Sequence, residues 1–294
     1  MASIRSAVRH IAERALKIMP RRTGRGDRLV LSYHNVVAAG VTPNGDRSLH
    51  LPIDQFLEQL RIIQSEAVVV PLVELLRTEN SSERLVAITF DDAYASALEL
   101  GVRACHAVNA ACTIFVAPGL LGRVPYWDVA ASRGEWNDDD RKRFLWTAAG
   151  EAEHTPGSLP PHHALSSMMV ATESQLDGVA TLGTVTLGNH TMHHPNLGAV
   201  SPERAVREIS DAHRWLEERY SHKLAPAIAY PYGIPPRPLD MTGQLDAVSY
   251  GLMVSGGWAK RGGQHNHWAF PRWNIPAGIS ADGFRLRLRG WLSR

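Results

Sequence analysis

The 294-residue chain has two cysteines, no apolar run long enough to cross a bilayer, and almost no excess of charge. Each shortage removes a class of protein. Cys105 and Cys112 fall in apolar helix-like and strand-like stretches and read as buried free thiols, which suits a reducing compartment. Without about 20 consecutive apolar residues there is no transmembrane helix. Lys and Arg number 31 against 29 Asp and Glu, a formal charge of +2, so no basic field points to a nucleic-acid partner. No internal repeat is present. What is there is a chain with 44% hydrophobic residues, enough to fill one large core, so one domain is the default.

The pattern alternates. Strand-like runs occur at Arg28–Tyr33, Leu85–Phe90, Ala111–Val116, Thr184–Leu187, Ala227–Tyr230, Tyr250–Val254 and Ala269–Asn274. Between them, Ile53, Phe56, Leu57, Leu60 and Ile63 make one helical face, with Pro52 and Asp54 at its start. A second helix is expected over Tyr94–Asn109. A third runs to about Tyr220, with Ser201 as N-cap and Pro202 in the first turn. Such alternation predicts a parallel sheet flanked by helices. Residues 119–182 interrupt it, and Arg141–Glu153 and Leu165–Gly178 are expected as short helices there.

The ends differ from the middle. Ile4, Val8, Ile11, Ala15, Ile18 and Met19 recur at helical spacing opposite Arg5, Arg9, Arg14 and Lys17, which predicts an amphipathic helix within 1–27. Its charges break up any secretion-signal core, so a cytoplasmic protein is expected. A basic tail, 281–294, carries Phe284, Trp291 and Leu292 among arginines. Basic amphipathic ends can lie on an anionic membrane surface, or they can pack on the domain at 28–280.

Two short stretches carry the chemistry. Thr89-Phe90-Asp91-Asp92 ends a strand in adjacent carboxylates, and His190-Thr191-Met192-His193-His194 holds imidazoles four residues apart. Side chains that leave a strand in succession point in opposite directions. One carboxylate can then face a metal while the other faces the water it activates. Alone, Asp91-Asp92 is equally a solvated strand end with a helix cap; the histidines turn the balance toward a hydrolytic metal site. His154, His162 and His163, and the histidines of Gln264–His267, read as surface or loop residues.

Thr89 to Tyr94 resembles the first signature of the polysaccharide deacetylases, the NodB-like carbohydrate esterases. Gly188 to Leu197 looks like their His-Ser/Thr-x-x-His signature followed by Pro and Leu, and Pro231-Tyr232-Gly233 resembles their third. The matches stand in the family's order within roughly residues 28–275. The resemblance implies a distorted seven- or eight-stranded (β/α) barrel, an α/β fold, with a helical insertion. It implies that Asp92, His190 and His194 bind a divalent metal, Zn first with Co, Ni or Mn as alternatives, and that Asp91 is the base. Tyr232 would offer its backbone N–H to the oxyanion. His193 competes as ligand, and Pro195 favours His194.

There are departures from the family pattern. Ala93 stands where Gly is usual, which fits a turn that does not require positive φ. The Arg before Pro-Tyr-Gly is missing, and no Leu-x-His signature stands near the C-terminus. Leu29 to His34 is instead a strand ending in His, as in a circularly permuted branch of the family. His34 is then the expected general acid, with His267 next in line, and Arg272 the residue that holds Asp91. The expected activity is hydrolysis of an N-acetyl group on an amino-sugar glycan or glycolipid precursor. The rivals are a deformylase or other amide hydrolase on the same scaffold, and a carbohydrate-binding protein without catalysis, which would not need a base beside the metal. Trp127, Trp136 and Trp146 in the insertion could stack on sugars, although packing is the commoner use of Trp.

Overall fold

The computed structural model describes residues 21–24, 26–43, 45–132, 138–147, 166–237, 248–254, 256–263 and 266–291. The amphipathic stretch at 4–19 lies outside them, as do Trp136, His154, His162, His163, His265 and Leu292. In chain order the first half comprises β1 (Arg28–Tyr33), β2 (Asn35–Val37), β3 (His50–Pro52), α1 (Ile53–Glu66), β4 (Val68–Val69), α2 (Leu72–Arg77), β5 (Leu85–Phe90), α3 (Arg103–Ala107) and β6 (Cys112–Val116). The second half comprises α4 (Tyr126–Ser132), α5 (Asp138–Thr147), α6 (Glu173–Ala180), β7 (Val185–Asn189), α7 (Pro202–Tyr220), β8 (Leu224–Ala229), β9 (Tyr250–Met253), β10 (Phe270–Asn274) and α8 (Ala281–Leu288).

Seven strands pair in the order β1-β10-β9-β8-β7-β6-β5, and β5 pairs back onto β1. Arg28 opposite Leu85 through Tyr33 opposite Phe90 close the ring, and every pairing in it is parallel. β4 borders the first residues of β5 as an eighth strand. This is the expected (β/α) barrel.

Period-two alternation decides what the barrel presents inward. Val30, Ala87, Phe115, Ala227, Ala229, Leu252 and Phe270 pack in one cluster. Their neighbours in sequence, Leu29, Leu31, Val86, Ile88 and Ile114, pack in another with Phe56, Leu60 and Ile63 of α1. The first set fills the lumen and the second faces the helices. Extending the lumen parity upward leads from Val30 to Ser32 and His34, from Ala87 to Thr89 and Asp91, and from Phe270 to Arg272 and Asn274. The polar residues of interest therefore continue the inward columns toward the C-terminal end of the strands, where barrel active sites lie.

Several elements depart from the sequence reading. Tyr94–Asn109 is not one α-helix: a π-helical stretch, Ala97–Val102, precedes α3. Gly101 lies within it, where a Cβ would come within 2.9 Å of Phe90 and Val36, so only glycine lets that stretch approach the strands. The helix expected at Leu165–Gly178 is a 3₁₀ turn at Ser166–Met168 and then α6, because Thr172 and Gln175 form a capping box that sets the start. α5 begins at Asp138, ahead of the expected Arg141, and the residues after Thr147 lie outside those described. The short parallel pair β2–β3 has no sequence signature; it anchors the loop that follows Val37.

The C-terminal helix α8 belongs to the barrel. Phe284, Leu286 and Leu288 are buried, and Phe284 stacks on Trp273 at 5.2 Å between ring centroids. Burying a side chain of this size contributes about 1.5–3 kcal/mol. No helix among the described residues is long and apolar enough to cross a membrane.

Candidate active site

Asp91 and Asp92 follow β5 directly. The expectation that they diverge as strand neighbours fails, because Asp92 and Ala93 adopt left-handed backbone, φ 66° and 52°. The chain turns at Asp92, so both carboxylates line the same cleft. Ala93 corrects the sequence reading too: the turn does have positive φ there, and a buried alanine accepts it. Thr191, His194 and Tyr232 are likewise left-handed, so five of the six described non-glycine residues with positive φ belong to these loops. Left-handed backbone is unfavourable for L-residues, and its concentration here marks a functional rim.

Asp92, His190 and His194 converge, with one ligand-type atom of each within 4.8 Å of the others. Nε2 of His190 and of His194 lie 3.3 and 3.2 Å from Asp92 Oδ1. His190 Nδ1 donates to the Ala229 carbonyl at 2.7 Å, so in the neutral ring Nε2 turns a lone pair toward Asp92. Asp92 Oδ1 is buried and makes no hydrogen bond of ordinary geometry. Two imidazole nitrogens and a carboxylate oxygen converge on one point, and that oxygen has no other partner, an arrangement that fits a cation. Burial holds the His194 imidazole below its ordinary value, hence neutral, against the pull of Asp92. His190 moves the other way: burial lowers it, but Asp92 and Asp91 outweigh burial, because a proton supplies positive charge that the cluster lacks.

Asp91 has different company. Arg272 Nη1 donates to Oδ1 at 2.7 Å, Ser32 Oγ donates to Oδ2 at 2.9 Å, and His34 Nε2 stands 4.0 Å from Oδ2. Burial pushes this carboxyl up, but the charges of Arg272, His190 and His34 prevail and hold it below the usual carboxylate range. Arg272 is fully buried within β10, rather than after it, with its guanidinium 5.5 Å from the Phe115 ring centroid. Metal ligation requires both ligand imidazoles to be neutral; Asp91, Asp92 and Arg272 then leave one negative charge, which a divalent ion would reverse.

The residues named from sequence meet in one cleft of about 210 Å³, lined by His34, Asp91, Asp92, His190, His194 and Tyr232, with Arg272 buried behind Asp91. Two candidates fall away. His193 points out to Glu208, its Nδ1 3.1 Å from Oε1, with most of its side chain exposed. His267 is exposed and lies against the Tyr250 ring at 5.2 Å, and it does not line the cleft.

Residues 78–246 match the polysaccharide deacetylase family. The chain belongs to the polysaccharide deacetylase family. Asp91, Asp92, His190, His194 and Tyr232 fall inside the matched segment; His34 and Arg272 fall outside it, although the barrel brings them to the same cleft. No curated protein matches the chain. Among solved structures, the Streptococcus pyogenes deacetylase PplD in complex with acetate is similar at 18% identity and TM-score 0.60, covering 88% of this chain and 96% of that one. IcaB from Ammonifex degensii aligns at 16% identity and TM-score 0.60 over 91% of this chain and 98% of its own. The BpsB deacetylase domain from Bordetella bronchiseptica aligns at 14% and 0.57 over 87% and 98%. At these identities the likeness speaks for the fold, and it extends well beyond the segment that the family match covers.

In this family member several site residues escaped the sequence reading. Ser32 was accessible, since it shares strand parity with His34. Trp127 was considered only for sugar stacking, yet it is buried, its ring 4.3 Å from the His194 ring and its Nε1–H donating to Tyr94 at 2.9 Å. Asp128 is fully buried and accepts from Tyr94 Oη at 2.7 Å and from the Asp46 N–H at 2.7 Å, with His50 Nε2 3.2 Å away. It joins the insertion to β3 and to the loop after β2. Nothing local in the sequence signals these contacts.

Proposed function

We propose that this protein is a metal-dependent hydrolase that removes the acetyl group from an N-acetylated amino sugar of a glycan or glycolipid precursor. The observation that carries the reading is the juxtaposition of an unsatisfied Asp92–His190–His194 cluster with an ionised, arginine-held Asp91 in one cleft. Family membership supports the acetylated-glycan substrate. A divalent ion held by Asp92, His190 and His194, Zn²⁺ first with Co²⁺, Ni²⁺ or Mn²⁺ as alternatives, would polarise the acetyl carbonyl and acidify a bound water.

The chain's own groups do the rest. Asp91, ionised throughout the neutral range, takes the proton of the attacking water, while Arg272 and Ser32 fix the direction of its free lone pairs. The Tyr232 backbone N–H donates to the developing oxyanion, where a preorganised donor is worth most. His34, across the cleft beside Asp91, hands a proton to the departing amine. β1, which leads directly into His34, sits between β10 and β5 and precedes the matched segment, which supports the permuted-order reading.

Acetate release from acetylated oligosaccharide and glycolipid panels, before and after chelation and metal restoration, tests this. Metal-restored release from an amino-sugar substrate is the expected result. Release that is indifferent to chelation, or confined to formyl or non-sugar amides, would sink it.

A further inference from the structure

Tyr126, the first residue of α4, places its hydroxyl between two loops that rise from different strands. It donates to the His194 carbonyl at 2.7 Å, and the Tyr232 hydroxyl lies 2.7 Å from the Tyr126 hydroxyl oxygen itself. A phenol has one proton. With Tyr126's committed to His194, Tyr232 must be the donor in the second bond. The Tyr126 ring is itself held, edge-on to Trp127 at 4.9 Å and tilted on Phe144 at 5.5 Å.

Both loops need holding. His194 has φ 60° and Tyr232 φ 58°, left-handed backbone that neither residue type favours by itself. β7 and β8 are paired below, but above the strand ends nothing in the ladder fixes one loop against the other. Among the described hydrogen bonds, Tyr126 is the side chain that reaches both.

We propose that Tyr126 is a positioning residue: its one hydroxyl latches the His194 loop to the Tyr232 turn, fixing the second imidazole relative to the oxyanion-donor N–H. The assignment rests on the functional reading above, in which those two loops act on the same carbonyl oxygen. Two groups that converge on one atom must keep their separation to a fraction of an ångström. The backbone N–H of Tyr232 is then its contribution to the reaction, because its phenol proton is committed to the latch.

The test is Tyr126→Phe, which keeps the ring and its packing and removes only the latch. Zn²⁺ affinity is measured by chelator competition, site geometry by the visible absorption of the Co²⁺-loaded protein, and kcat and KM separately. Metal affinity should fall about tenfold and kcat about 10–100-fold, the range for groups that orient metal ligands, with an altered Co²⁺ spectrum and little change in KM. Tyr232→Phe leaves the His194 bond intact, so it should keep the affinity and lose kcat. The double variant should be no slower than Tyr126→Phe alone. Tyr220→Phe, which removes a phenol bonded to Asp177 at 2.6 Å on α7, should leave affinity, spectrum and kcat unchanged.

Wild-type affinity, spectrum and kcat in Tyr126→Phe would overturn the latch, as would additive losses in the double variant. If Tyr126→Phe does not fold, an undiminished kcat in Tyr232→Phe overturns it equally. A wild-type protein that binds Co²⁺ yet releases no acetate from any sugar fails the substrate assignment instead; the Co²⁺ spectrum of Tyr126→Phe still decides the latch.

Discussion

Two buried carboxylate centres stand at opposite ends of the barrel, and their neighbours treat them in opposite ways. At the lower end Glu66 closes α1. Arg21 bonds Oε2 at 3.0 Å, Arg285 and Arg289 both reach Oε1 at 2.9 Å, and Arg84 stands at 4.0 Å and also donates to the Glu66 carbonyl. At the upper end Asp91 has one arginine, and Asp92 faces two imidazoles with one oxygen left without a hydrogen bond. Burying an ion costs several kcal/mol unless partners compensate it. The lower centre is over-compensated and ties the C-terminal helix to α1. The upper one is left short of positive charge on the face where strained loops meet. Saturated charge holds the fold; unsaturated charge is reserved for a ligand.

The sharpest break of that contrast is at Asp92. Asp92→Asn should lose the metal and take activity to background, since three protein ligands become two with no anion among them. The metal-free variant should lose less stability than Glu66→Gln does, because without the ion Asp92 is paired only with two imidazoles, whereas Glu66 is bonded by three arginines. Metal analysis and thermal melts check both halves. A metal-free protein made markedly less stable by the substitution would place Asp92 with Glu66 as a structural residue. His194→Ala should lose the ion too, whereas His193→Ala should retain it.

Asp91→Asn comes next. It keeps shape and metal but cannot take a proton, so kcat should fall about 10²–10⁴-fold, the usual worth of a general base, with KM little changed. Metal loss in this variant and not in Asp92→Asn would exchange the two roles. Arg272→Met probes the same group through its charge. Without the guanidinium, burial of Asp91 is no longer outweighed, so its carboxyl rises from its present low position. A base works only when ionised, so the low-pH limb of kcat/KM should move to higher pH. A limb that stays in place would assign it to another group. His34→Ala should retain metal and slow the reaction about 10²-fold or more, as loss of a general acid does.

How much of this was legible in the sequence follows from where the information lies. Asp91, Asp92, His190 and His194 sit in two short segments whose residue types and spacing suffice to suggest a ligand set. His34 and Arg272 lie far from them in sequence, but each ends or occupies an inward column of a strand, and parity carries such residues to the cleft. The barrel was readable for the same reason, since its strands alternate strictly with helices. The left-handed turn at Asp92 and Ala93 was not, because a buried alanine there gives no glycine signal. Tyr126, Trp127 and Asp128 were invisible as a group. Their partners lie 33 to 106 residues away, on segments that follow other strands, so only the closed barrel brings them together.

The smallest expected effect belongs to the lower centre, and it completes the contrast. Burial raises the Glu66 carboxyl, but the hydrogen bonds and charges of Arg289, Arg285 and Arg21 more than reverse that and hold it below the ordinary glutamate value. A depressed folded value contributes stability that is fully present above the unfolded pKa, about 4.3 for glutamate, and lost as pH falls through the folded one. Glu66→Gln should therefore cost about 2–3 kcal/mol at neutral pH, at the low end because Arg21 and Arg285 keep part of their surface in water. It should cost progressively less below the unfolded value, where wild type and variant converge. Urea unfolding of both proteins across the acid range measures this directly. Metal content, kcat and KM should be those of the wild type at neutral pH, since nothing at that end of the barrel touches the cleft. A Glu66→Gln protein of unchanged stability and impaired turnover would collapse the distinction between the two centres.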